Sequence, residues 1–143
     1  MNARSRVSAV VVAVASLIVL SGCSMDTALW GADPARVIDT TEQLIDAASS
    51  GARDTLACEG SDPDFGDSQA WTKLSAGEPE EFDAETSVDR PSLDAAWRIN
   101  LEGTADGRVS GDVAPTDVFY REVNDRLCVA DIIWQTIDLG VEG

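Results

Sequence analysis

Three cysteines, one tyrosine and 26 carboxylates are the residues of this chain that could do chemistry, set against ten Lys and Arg and no histidine. Without histidine there is no Ser–His–Asp or Cys–His system and no His-ligated zinc. The sequence holds no Gly-rich phosphate loop and no Walker sequence. General acid–base chemistry would therefore fall to Asp or Glu, with Tyr120 as the single phenol. The stretch "FYREVNDRLCVADII" offers one such pair. Read as a hairpin with a four-residue connection, it sets Val123 opposite Cys128, Phe119 opposite Ile132 and Tyr120 opposite Asp131. Burial would raise the carboxyl pKa of that pair towards neutrality and make an acid–base site. The same register gathers Ala130, Ile132 and Trp134 on the Cys128 face, which is the better core, and leaves Glu122 beside Asp131 on the wetter one. The expectation is that Tyr120 and Asp131 form no enclosed site and that the chain is not an enzyme. The alternative is a small acid–base enzyme using Asp and Tyr.

A second candidate is the loop "EGSDPDFGDS", residues 59–68, where Glu59, Asp62, Asp64 and Asp67 could present hard oxygen ligands to Ca²⁺. Its spacing does not fit an EF-hand, because Lys73 stands where the bidentate Glu belongs. The reading is a solvated acidic loop, with no catalytic residue, no metal ligand and no cofactor. Trp71, Trp97 and Trp134 either fill the core or line a pocket. The net charge of −16 argues against nucleic acid, which needs clustered Lys and Arg, and against docking on anionic lipid by charge alone. Cations and basic partners remain open.

The first residues carry the most specific signal. Arg4 and Arg6 precede an uncharged 14-residue run, Val7 to Leu20. That is the basic n-region and apolar h-region of a secretory signal, and it is short of the roughly 20 residues a spanning helix needs. Leu20-Ser21-Gly22-Cys23 follows directly. This tetrapeptide resembles the lipobox of bacterial lipoproteins: an aliphatic residue, two small ones, and the cysteine that receives a diacylglyceryl group. The resemblance implies cleavage before Cys23, a thioether to lipid at its sulfur, and a location at the extracytoplasmic face of the cell membrane. Two acyl chains hold stably where one is marginal, since each buried CH₂ contributes about 0.8 kcal/mol. Cleavage removes Arg4 and Arg6 but no acid, so the mature charge becomes −18.

Export bears on the two other cysteines. Cys58 and Cys128 form an even pair in an oxidising compartment, and a disulfide between them is expected.

The elements that must position these residues begin with a tether, residues 23–33, in which Trp30 either sits at the lipid interface or packs on the domain. "DPARVIDTTEQLIDAASSG" is an amphipathic helix, with Asp33 as cap, Pro34 in its first position and Gly51 as terminator. Val37, Ile38, Thr41, Leu44, Ile45 and Ala48 share one face at 3.6 spacing. Residues 52–58 read as a further helical turn. Residues 69–91 read either as loop or as helices around Trp71–Leu74 and Glu80–Thr86. Trp97, Ile99 and Leu101 alternate with polar residues as a strand, and the last strand, rich in Val129, Ile132, Ile133 and Trp134, reads as central or covered by the helix.

One helix followed by an antiparallel meander is an α+β domain. It resembles the NTF2-like (cystatin-like) domains of many bacterial lipoproteins through "LIDAASSGARDTLAC" and "VFYREVNDRLCVADIIW", which implies an N-terminal helix packed on a curved antiparallel sheet. The expected organisation is a signal peptide over 1–22, a lipidated tether over 23–33 and one globular domain over 34–140. The expected role is a non-enzymatic binding or accessory module, held to the membrane through lipid on Cys23. Its partner would be an extracytoplasmic protein or a small ligand, and not a nucleic acid.

Overall fold

A computed structural model describes residues 32–52 and 55–140. The expected signal, the expected lipidation site Cys23 and nearly all of the expected tether lie outside these residues.

Helix α1 runs Ala32–Ser49. Asp33 therefore lies inside the first turn rather than capping it, where its carboxylate complements the helix dipole. Pro34 is tolerated beside it because first-turn N–H groups have no partner within the helix. At the other end Gly51 takes φ 83°, its N–H donates to the Ala48 carbonyl, and the Ala52 N–H donates to Ala47. That pair of bonds is a Schellman motif, which favours glycine because of the positive φ. All six residues of the expected stripe, from Val37 to Ala48, are buried.

The further helical turn expected over 52–58 is not formed at the described residues 55–58. Ala57 forms a parallel bridge with Val129, fixed by Cys58 N–H donating to the Val129 carbonyl and Val129 N–H donating to Leu56, both at 2.8 Å. Residues 59–67 are loop, as expected. A 3₁₀ turn, Ser68–Trp71, follows, with the Asp67 side chain accepting from the Gln69 N–H. It stops short of Leu74, because Lys73 takes φ 63°, outside any right-handed helix.

Four antiparallel strands complete the domain in the order β1-β2-β3-β4: β1 Ser75–Glu81, β2 Trp97–Glu102, β3 Val113–Val123 and β4 Arg126–Thr136. β1 replaces the helix read around Glu80–Thr86. Pro79 before two glutamates looks like a helix start, but pairing of Glu80 with Arg98 and Glu81 with Trp97 overrides that local preference. β2 alternates as its sequence requires, with Trp97, Ile99 and Leu101 buried. β3 and β4 meet in a two-residue turn, where Asn124 and Asp125 take φ 51° and 60°, as a type I′ hairpin demands. β4 is an edge strand of the ladder rather than a central one.

The sheet buries both faces. On one, α1 packs over Trp71, Leu74, Ile99, Val118, Tyr120, Val129 and Ile132. On the other, the excursion between β1 and β2 folds back over Phe119, Ala130 and the cysteines, bringing Phe82, Leu93 and Ala95.

Candidate functional site

The structure separates the acid–base pair. The two-residue turn sets Tyr120 opposite Val129, and a bulge between Phe119 and Tyr120 then sets Asp131 opposite Phe119. The expected pairing of Tyr120 with Asp131 is thereby corrected, as is the grouping of Ala130 with Ile132. The bulge takes up the extra residue, so Ala130 falls on the Cys128 face while Ile132 turns towards the helix. Tyr120 is fully buried under α1, and its hydroxyl lies 2.9 Å from the Thr41 hydroxyl, which donates onward to the Val37 carbonyl at 2.7 Å. Burial pushes the phenol pKa well above its ordinary value, and the Thr41 bond offsets this only in part. Asp131 sits on the other face, paired with Arg90. A residue held neutral in one core and a carboxylate neutralised on the opposite face cannot exchange a proton directly.

The acidic loop is held by its backbone. Trp71 donates its indole N–H to the Phe65 carbonyl at 2.7 Å, and Trp134 donates to the Asp64 carbonyl at 2.6 Å. The two rings meet edge to face with centroids 6.2 Å apart. A Cβ at Gly66 would lie 2.4 Å from the Trp134 ring, so the close approach needs glycine there. Asp64 and Asp67 turn carboxylate oxygens back onto the N–H groups of Gly66 and Gln69. An open cleft of about 570 Å³ lies along Asp62, Asp64 and Phe65. Among the described residues, no group of three or more Cys, Asp or Glu is gathered closely enough to hold a metal ion.

A second cleft, of about 450 Å³, opens where the start of α1 meets the ends of β1 and β3. Phe82 and Trp97 supply apolar wall, while Asp33, Glu81, Asp83 and Glu122 supply carboxylates. Arg36 is the cation there. It donates to Glu122 at 2.8 Å and to the Asp125 carbonyl at 3.0 Å, and so ties the helix to the hairpin tip. The bond to Glu122 raises the Arg36 pKa further, against partial burial. Among the described residues, Asp33, Glu81 and Asp83 make no ion pair apart from a 4.0 Å approach of Asp33 to the same arginine, and Asp83 accepts from the Glu85 N–H at 2.9 Å. Carboxylates beside an aromatic wall suit recognition of positive charge.

Cys58 and Cys128 are joined, with Cα atoms 4.8 Å apart. Of the tryptophans, Trp71 and Trp134 anchor the loop and Trp97 walls the second cleft. Sequence reasoning did not single out Arg36 or Arg90, whose partners lie 86 and 41 positions away and leave no local pattern.

Comparison with protein families, with curated proteins and with solved structures finds no match to this chain in any of the three. Among the described residues, no helix is long and apolar enough to cross a membrane.

Proposed function

We propose that this chain is a bacterial lipoprotein, anchored at the extracytoplasmic face of the cell membrane through lipid on Cys23, and that its domain is a non-enzymatic binding module. The observation that carries the anchor is Leu20-Ser21-Gly22-Cys23 set directly after a basic start and a 14-residue uncharged run. The non-enzymatic reading draws support from the separation of Tyr120 from Asp131 and from the ordinary, ion-paired setting of Asp131. The alternative, a small acid–base enzyme, would need those two groups in one enclosure. An NTF2-like or cystatin-like build is our reading of a helix laid over a four-stranded meander whose bulges bend the strands. The ligand that suits the cleft at the start of α1 is a basic group on an extracytoplasmic protein or a small cation. Membrane partitioning tests the anchor. Wild-type protein should sediment with membranes and move into detergent, and Cys23→Ser should be released or left unprocessed. Equal partitioning of a processed Cys23→Ser chain would sink the reading.

A further inference from the structure

The two outer edges of the sheet are guarded by different means. Along β1 the guard is built into side chains. Pro79 has no N–H to offer, the Ala76 N–H is taken by the Glu42 carboxylate at 2.7 Å, and Glu78, Glu80 and Glu81 all project from the strand. β4 has no such residues. It carries one cation, Arg126, and one anion, Asp131, among Leu127, Val129, Ile132, Ile133 and Trp134. Its outer edge at Val129 is covered instead by Leu56–Cys58, through two backbone hydrogen bonds, and the loop beyond reaches Trp134 through the Asp64 carbonyl. The covalent tie that holds this strap to β4 is the Cys58–Cys128 bridge.

We propose that this disulfide is a latch: opening it frees residues 55–66 from β4, and the bared edge pairs antiparallel with β4 of a second copy of the chain. The reductant is a dithiol. One thiolate attacks Sγ of Cys128, the half-exposed partner, and expels Cys58 as thiolate. The second thiol resolves the mixed disulfide, so that both cysteines end as thiols and the dithiol leaves as its disulfide. Charge singles out a second copy as the occupant. Self-pairing of β1 would stack glutamates on glutamates, whereas β4 is neutral along its length. A self-pair centred on Cys128 sets Arg126 of each copy opposite Ala130 of the other, where the bulge leaves Asp131 on the same face, the two-fold arrangement expected of an isologous contact.

The test uses the full chain carrying Cys23→Ser, in mild detergent at about 0.15 M salt, where long-range repulsion between acidic copies is largely screened. Amide hydrogen exchange and sedimentation are measured with and without dithiol. On reduction, the Cys58 amide should fall to within about 10-fold of unfolded-chain exchange, and the Val129 amide likewise at concentrations too low for association, while Ile99 and Val118 stay protected at least about 100-fold more. A concentration-dependent dimer should form in the same sample. Arg126→Glu should weaken that dimer at least about 10-fold and leave the opening unchanged. Retained protection at Cys58, retained protection at Val129 in the dilute, unassociated sample, loss of protection throughout the domain, opening without association, or a dimer indifferent to Arg126→Glu would each overturn the proposal.

Discussion

The face of the sheet under α1 and the face under residues 82–96 are both buried, but by different physics. The helix face is apolar and continuous: Val37, Leu44 and Ile45 meet Ile99, Val118 and Ile132, with Thr41 and Tyr120 as its one polar pair. The opposite face is a patchwork. Phe82 and Phe119 meet edge to face at 5.0 Å, Arg90 lies 6.0 Å over the Phe119 ring and pairs with Asp131, and Arg98 pairs with the buried Asp117 at 2.9 Å. The disulfide sits on this side. A helix brings five apolar residues and Thr41 in one stripe, so one element can cover a face alone. An irregular excursion cannot, and here ring contacts, ion pairs and a covalent bond stand in for the missing apolar area.

The largest effect should come from breaking the covalent part of the patchwork. The bridge closes a loop of about 71 residues, which in the chain-entropy account corresponds to about 4.4 kcal/mol of stability as an upper figure. Cys58→Ser with Cys128→Ser should therefore lower the urea midpoint more than any core truncation below. A loss under about 1 kcal/mol would mean the strap holds without it.

Core truncations set the two faces directly against each other. Leu44, 1% exposed, should cost about 3 kcal/mol as Leu44→Ala, from lost transfer energy plus a cavity. Ile133 on the patchwork face is only half-buried, and Ile133→Ala should cost about 1 kcal/mol. Equal losses in chemical denaturation would break the contrast between the faces.

Tyr120 sharpens the description of the helix face. Because burial raises its pKa, the stability tied to the neutral phenol is fully present below about pH 10, the ordinary tyrosine value. It is lost as pH rises through the higher folded value. This is the only tyrosine, so absorbance near 295 nm follows one group. No tyrosinate should form until the domain unfolds, and an early step near pH 10 in folded protein would show the site to be wet. Tyr120→Phe should cost about 1 kcal/mol, since it removes one hydrogen bond while Thr41 keeps its bond to Val37.

The smallest effect is expected from Arg90→Ala. Its pair with Asp131 is more than a third open to solvent on the arginine side, and exposed pairs contribute under about 1 kcal/mol. A larger loss, insensitive to salt, would assign the Arg90–Phe119 contact more weight than the ion pair.

The helix face was legible in the sequence because its information is local. The 3.6 spacing from Val37 to Ala48, Gly51 as terminator and the alternation at Trp97, Ile99 and Leu101 each specify a side without reference to distant residues. The patchwork face was not. β1 has no alternation to read, only Pro79 and three glutamates that suit a helix start equally well. The hairpin register turned on Asn124-Asp125, which lacks glycine but tolerates positive φ, and on a one-residue bulge with no sequence mark. That bulge decided where Asp131 points, and with it the fate of the acid–base pair. The pairing of Cys58 with Cys128 was legible from count and expected compartment alone. The cleft at the start of α1 was not, because its residues come from four separate stretches of chain.

Membrane anchoring turns on Cys23, and one mass measurement reaches that residue directly. The N-terminal peptide of protein isolated from its own cell membranes should begin at Cys23 and carry the mass of a diacylglyceryl group on sulfur. A peptide with Cys23 unmodified, or still joined to residues 1–22, would contradict it.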